Sequence, residues 1–203
     1  MLLPNIQQRS SSASPAPHPS RSSQSSPQRQ PGPQSLVSPL PSIPTLIAAL
    51  PITQQPSHDP ALKITWCRDV IFLVDRLQQN TSPDNPIGPA QIPDPQLARL
   101  VQVAVPMILQ IAGTQPVPNP APRYIAEAVY LRATFAASGA YPDFVQQNPR
   151  AAFRDFEQAA RAGHAAAWFK LGRDYENFSD ASHARDCFER GVKLGVESCI
   201  YVC

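Results

Sequence analysis

Four carboxylates in the last third of the chain have the side chains that general acid–base catalysis needs. They are Asp174, Glu176, Asp186 and Glu189. Paired carboxylates can exchange protons with a substrate when their surroundings keep one of them neutral. These four alternate with arginines along helical segments, which is the pattern of an exposed helix face. We therefore expect solvated helix faces here and no catalytic residue.

Cysteine and histidine side chains could bind a metal ion or act as nucleophile and base. Cys199 and Cys203 are spaced by one helical turn, so they share one face of a helix, but no further Cys or His pair completes a zinc site. We expect no metal and no cofactor. His164 directly follows Gly163 and is expected to cap or pack a helix end, whereas His183 is expected to be solvated.

Motifs of known enzymes are absent from the sequence, which has no G-x-G-x-x-G, phosphate loop, G-x-S-x-G or H-E-x-x-H. Trp168 and Phe169 resemble an aromatic binding pair, but residues at this helical spacing belong more often to the core. The sequence therefore predicts a protein that is not an enzyme. The alternative is a hydrolase or transferase with an unrecognised site.

Composition divides the 203 residues into a tail and a foldable part. Residues 1–57 carry three arginines as their only charged residues and consist mostly of Ser, Pro, Gln and Ala. Such a segment buries too little apolar surface to offset its chain entropy, so we expect a disordered tail. Within it, the apolar run 36–52 is the best candidate for docking onto the folded part. Charges of both signs begin at Asp59.

Charge and hydropathy exclude two classes of partner. The net charge of +2 is too small to indicate a nucleic-acid-binding surface. No uninterrupted apolar run is long enough to cross a bilayer as a helix, so the sequence predicts no transmembrane segment, and the N-terminus lacks the features of a signal peptide. The four cysteines are therefore expected to remain reduced thiols inside the cell.

Helix starts are marked three times by the same dipeptide pattern, at Asp59–Pro60, Asp94–Pro95 and Asn148–Pro149. The Asp or Asn side chain can accept from amides of the first turn, while Pro at the first helical position loses no needed donor. Apolar stripes then predict helices ending near Gln79 and at Gly113. Since strand signals are nearly absent, we expect an all-α fold.

An internal repeat occupies the C-terminal part of the chain. With a constant step and no gap, it aligns Ala152, Phe156, Ala160 and Gly163 with Ala184, Phe188, Val192 and Gly195. The unit is a helix A, a short loop, a helix B and a glycine in the left-handed conformation. Helix A is predicted at 124–137, at 165–177 and again from Val196, and helix B at 149–162 and 181–194.

Helix pairs of this kind must stack to bury their apolar faces, which predicts a right-handed α-α solenoid. Residues 58–122 are expected to form a helical N-terminal cap with a Pro-rich linker, and residues 123–203 the repeats. The last copy stops halfway along helix A, so we expect the natural protein to continue beyond Cys203.

The pattern A-x-x-x-F-x-x-A-A-x-A-G-H-A, followed by Leu-Gly and Tyr, resembles Sel1-like repeats, which are related to the tetratricopeptide class. The repeat positions are Ala152, Phe156, Ala160, Gly163, Trp168, Leu171, Gly172, Tyr175, Ala184, Phe188 and Gly195. The segments HDPALKITWCRDVIFLVDRL and YLRATFAASGAYPDF resemble a fungal group of such proteins that includes chitin synthase activators and mitotic kinase inhibitors.

This resemblance implies a non-catalytic adaptor that recruits or activates chitin synthase in cell-wall assembly. The alternative is inhibition of a cell-cycle protein kinase through the same repeats. Either function implies a protein partner, a cytoplasmic location that includes the cell cortex or septum, and membrane association only through that partner. A partner segment would lie in a groove lined by the A helices.

Overall fold

The computed structural model describes residues 40–81, 88–115 and 118–200, which form eight helices and no strand. The helices are α1 (Ile43–Thr53), α2 (Pro60–Thr81), α3 (Pro95–Ala112), α4 (Arg123–Ser138), α5 (Pro149–Arg161), α6 (Ala165–Asn177), α7 (Ala181–Lys193) and α8 (Glu197–Ile200). The all-α class predicted from the sequence is confirmed.

Side-chain caps begin three of these helices where the sequence predicted them. The Asp59 carboxylate accepts from an amide of the first turn of α2 at 2.9 Å. Asp94 accepts from two amides of α3 at 2.7 and 3.0 Å, and Asn148 from one amide of α5 at 3.0 Å. Each cap satisfies backbone donors that the first turn of a helix leaves without an internal acceptor.

Helix α1 lies in the segment that the sequence analysis assigned to a disordered tail, so for residues 43–53 that assignment was wrong. The helix starts with a capping box, in which Ser42 and Thr45 exchange hydrogen bonds. It packs against α2 and α3, burying Leu46. The indole N–H of Trp66 donates to the Leu46 carbonyl at 3.0 Å. These tertiary contacts bury apolar side chains of α1 and stabilise a helix that its composition alone does not predict.

Helices α2, α3 and α4 pack on one another, and nearly all of their buried side chains belong to one hydrophobic cluster that extends from Leu46 to Cys187. Arg132 of α4 ties this region to the next helix. Its guanidinium donates two hydrogen bonds of 2.8 Å to the Asp155 carboxylate of α5 and one of 3.3 Å to the Ala112 carbonyl at the end of α3. Helices α2 and α3 therefore share a core with the helices that follow.

Within the described residues, α3 is the one helix long and apolar enough to cross a membrane, with a mean hydropathy of 1.2 over 18 residues. Seven of its side chains are buried in the protein core. The helix continues through Pro106. Because packing against α2 and α4 accounts for its apolar stripe, the described residues contain no clear transmembrane segment.

Helices α5 to α8 follow one another with each packing on the next. The turns after α5 and α7 are equivalent and occupy the same position in the repeat. Gly163 and Gly195 have φ values of +92° and +79°, and each amide bonds the carbonyl three residues back, at 3.0 and 2.9 Å. The amides of His164 and Val196 both bond the carbonyl five residues back at 2.9 Å. The two junctions are thus the same Schellman motif.

Two further glycines allow these helices to approach closely. A Cβ atom added at Gly172 in α6 would overlap the Phe188 ring of α7. One added at Gly191 in α7 would overlap the Cys199 sulfur of α8. The α6–α7 and α7–α8 contacts therefore need a residue without a side chain at each point.

Candidate functional site

A cleft of about 180 Å³ lies between α5, α6 and α7, and we call it the α6 cleft. It is lined by Glu157, Arg161, Trp168, Leu171, Tyr175, His183, Asp186, Cys187 and Arg190. Three of these residues come from α6, a predicted A helix, and six from α5 and α7, which are predicted B helices. Ligand pockets usually measure about 300–1,000 Å³, so this cleft fits one or two side chains.

Trp168 supplies the main apolar surface of the cleft. Its side chain is half-buried, packs against the main hydrophobic cluster and also lines the cleft. The Arg190 guanidinium lies over the indole, 4.9 Å from the ring centroid, in a cation–π contact. Phe169, the other member of the pair, is half-buried beside Phe188 at a ring distance of 6.1 Å. Of the pair, Trp168 lines the cleft and Phe169 does not.

Charged groups of both signs surround Trp168, and most of them are paired within the protein. Glu157 and Arg161 form an i,i+4 ion pair at 3.4 Å. The His183 imidazole stacks on Tyr175 with ring centroids 5.1 Å apart and contacts the Asp180 carboxylate at 2.7 Å. His183 is exposed, as expected for a solvated side chain. The rim of the cleft therefore carries charges of both signs, several of which already have a partner within the protein.

Cys187 is the one thiol lining the cleft, and its protonation state limits the chemistry there. Burial raises the pKa of the Cys187 thiol to about 11, although the nearby Arg190 lowers it. The thiolate is the nucleophilic form of cysteine, so at neutral pH this side chain is protonated and unreactive. The arrangement of the cleft suits non-covalent binding better than nucleophilic catalysis.

The four carboxylates considered for acid–base chemistry do not converge. Asp186 lines the α6 cleft, whereas Asp174 lines a different cavity beside α5. Glu176 pairs with Arg173 at 2.6 Å, and Glu189 is exposed. Burial raises the pKa of Asp174, and Lys170 lowers it. A pair of carboxylates sharing one substrate is therefore not formed by these residues.

The His164 side chain packs against a neighbouring ring and does not cap the start of α6. Its side chain makes no capping hydrogen bond, and its ring stacks on Tyr130 with centroids 4.2 Å apart. Burial lowers the pKa of His164. Cys199 is buried beside Gly191, while Cys203 lies outside the described residues. In the part of the chain that the structure describes, no group of three or more potential ligands could hold a metal ion.

The repeat positions fall into three environments. Those buried are Ala152, Phe156, Ala160, Leu171, Gly172, Ala184 and Phe188; Trp168 and Tyr175 are half-buried; Gly163 and Gly195 are exposed. The buried positions hold the helices together, while the half-buried aromatics line the cleft. Sequence reasoning did not single out Glu157 and Arg161, although their i,i+4 spacing was a usable signal.

Comparisons with family models, with curated proteins and with solved structures gave no match for this chain. The all-α class consequently rests on the helices described above.

Proposed function

We propose that this chain is a non-catalytic protein-interaction scaffold built from Sel1-like repeats stacked into a right-handed α-α solenoid. The observation that carries the proposal is the pair of equivalent junctions at Gly163 and Gly195, which have the same backbone hydrogen bonds one repeat apart. A backbone motif that recurs with the sequence repeat is what a stack of like units requires. Helices α2 and α3 would then cover the first layer of the stack.

The α6 cleft is the proposed contact point for a partner. Stacked helical repeats bind extended segments of other proteins along their surfaces, and an aromatic anchor within a charged rim is typical of interface hot spots. The Trp168 ring would receive an apolar group of the partner, and Arg190 and Asp186 at the rim would pair with its polar groups. The protonated Cys187 supports binding without covalent chemistry.

The proposed partner is chitin synthase, which the chain would recruit or activate at the cell cortex or septum. This part of the proposal rests on the resemblance of residues 58–77 and 130–144 to fungal chitin synthase activators. Membrane association would occur through the synthase.

Addition of the purified full chain to fungal membranes that contain chitin synthase tests this function. We expect chitin formation from UDP-N-acetylglucosamine to rise with the wild-type chain and not with Arg190→Glu, which removes the cation over Trp168. Arg185→Glu is the matched control, because Arg185 is exposed on the same helix and does not line the cleft.

Unchanged synthesis with the wild-type chain would contradict the proposed activation. A parallel assay of a mitotic protein kinase distinguishes activation of chitin synthase from the alternative function, which is inhibition of a kinase. If kinase activity falls with the wild-type chain and not with Arg190→Glu, the scaffold acts as a kinase inhibitor instead.

A further inference from the structure

A second cavity, of about 640 Å³, lies between α5 and the end of α6, and we call it the α5 groove. It is lined by Pro149, Arg150, Phe153, Arg154, Asp174 and Phe178. None of these residues lines the α6 cleft. Its volume falls within the range of about 300–1,000 Å³ in which proteins bind ligands and peptide side chains.

Aromatic rings form the apolar part of the α5 groove. Phe178 is 70% exposed, the highest value among the exposed large hydrophobic side chains of the described residues. Its ring centroid lies 6.2 Å from that of Phe153, which in turn lies 5.4 Å from that of Tyr175 in an edge contact. Phe178 is therefore held against other rings while its outer face remains in water, as expected for an anchor that a partner covers.

Two arginines flank these rings. Arg150 and Arg154 are one helical turn apart on α5, so they lie on the same side of the helix. Both are exposed, and neither forms an ion pair with the described residues, whereas Arg161 of the same helix pairs with Glu157. The start of α5 adds the positive end of the helix dipole beside Arg150. The groove thus combines an apolar face with unpaired positive charge.

We propose that the α5 groove binds an acidic peptide segment of another protein. A large apolar side chain of this segment packs against Phe153 and Phe178, and neighbouring carboxylates bind Arg150 and Arg154. Asp174 limits how many carboxylates the groove accepts, since it places one negative charge among the lining residues. This surface is separate from the α6 cleft and does not require that the partner is chitin synthase.

Selection of a random dodecapeptide phage library on the immobilised full chain tests the proposal. The library is first depleted on the Arg150→Glu, Arg154→Glu double variant, which removes peptides that bind elsewhere. We expect the recovered peptides to carry Asp or Glu beside Phe, Trp, Leu or Ile. Recovery of no binder, or of binders without acidic residues, would overturn the proposal.

Fluorescence anisotropy with the most enriched peptide then measures each contact. We expect the double variant to weaken binding about tenfold and Phe178→Ala to weaken it by a similar factor. Asp174→Asn should tighten binding about threefold, because it removes a repulsive charge. Arg185→Glu is the control and should bind as the wild type does. Equal affinity of the wild type and the double variant would contradict the proposed site.

We expect the variants at Arg150, Arg154 and Phe178 to fold, because these side chains are exposed, and thermal unfolding of each variant checks this. The Arg190→Glu variant of the α6 cleft separates this proposal from the scaffold function. It should retain peptide binding in the α5 groove even if it loses stimulation of the synthase.

Discussion

Helices α2–α4 and helices α5–α8 are held together by different kinds of side chain. Of the twelve largest fully buried side chains in the described residues, eleven lie in α2–α4 and one, Cys199, lies in α8. Most of the eleven are Ile, Leu and Val, which remove large apolar areas from water. The N-terminal helices are therefore the part of the chain where burial of apolar surface contributes most to stability.

The later helices instead use alanine and glycine for contact. Ala159, Ala167 and Ala184 are buried, and Gly172 and Gly191 lie where no Cβ fits. Several of their larger aromatic side chains, among them Trp168, stay half-buried or exposed beside the cleft and the groove. Apolar burial is thus concentrated in α1–α4, while α5–α8 bury less apolar surface and leave several aromatic and charged groups accessible to solvent.

The largest loss of stability is expected from a substitution in helices α1–α4. Trp66→Ala should lower the free energy of unfolding by about 3–5 kcal/mol, because it opens a cavity and removes the buried hydrogen bond from the indole to the Leu46 carbonyl. Phe72→Ala in the same helix is the control and should cost less than about 1 kcal/mol, since Phe72 is 42% exposed. Urea unfolding of the full chain measures both, and similar values for the two variants would remove the distinction between the regions.

Close approach in the later helices is tested by Gly172→Ala. In an exposed helix this change gains about 1 kcal/mol, but here the new methyl group meets the Phe188 ring, so we expect a net loss of about 1–3 kcal/mol. Phe188→Leu in the same chain should recover part of the loss. A stabilised Gly172→Ala protein in thermal unfolding would show that α6 and α7 do not need this contact.

Removal of the Arg132–Asp155 hydrogen bonds, which join α4 to α5, should have an intermediate effect on stability. Arg132→Ala removes the hydrogen bonds to Asp155 and to the Ala112 carbonyl, and we expect a loss of about 1–2 kcal/mol because the pair is half-buried. A double-mutant cycle with Asp155→Ala isolates the pair. A coupling energy near zero would mean that packing alone joins α4 to α5.

A substitution at the end of α6 should stabilise the chain, by less than the losses predicted above. Ser179 has a φ of +59°, and its amide bonds the Glu176 carbonyl at 2.9 Å, so a non-glycine residue occupies the position that glycine holds after α5 and α7. Ser179→Gly should stabilise the chain by about 0.5–1 kcal/mol, because glycine adopts this conformation without strain. Ser179→Ala, which keeps the strain, should show no such gain in thermal unfolding.

The smallest expected effect is the pH dependence of stability that arises from His164. Burial lowers its pKa in the folded chain, so the unfolded chain binds more protons as the pH falls below about 6.5. The contribution of neutral His164 to stability is therefore complete above that pH and is lost as the pH falls towards the folded pKa. His164→Phe, which keeps a ring beside Tyr130, should lose less stability between pH 8 and pH 5 in urea titrations than the wild type does.

Local signals in the sequence predicted where several of the helices begin and end. The caps at Asp94 and Asn148 and the glycines at 163 and 195 act within one or two turns, so their residue types are sufficient evidence. Helix α1 was missed because Pro44, Pro51 and the lack of charge resembled the tail, although Ser42 before Ile43-Pro44 was a start signal of the same kind.

The cleft could not be predicted from spacing alone. It brings Trp168 together with Arg190 and Glu157 from neighbouring helices, and such contacts depend on how the helices pack. The Arg132–Asp155 bond likewise joins residues 23 positions apart. The left-handed backbone of Ser179 was not predicted, because a serine residue does not indicate this conformation.

Hydrogen exchange of the full chain, alone and with the peptide selected on the α5 groove, tests most directly whether α1–α4 anchor the fold and α5–α8 bind. In the free chain, the slowest amides should lie in α2–α4, where apolar burial is greatest. Addition of the peptide should slow exchange in α5 and α6 and leave α2 and α3 unchanged. Uniform exchange along the chain, or protection by the peptide in α2 and α3, would contradict the account.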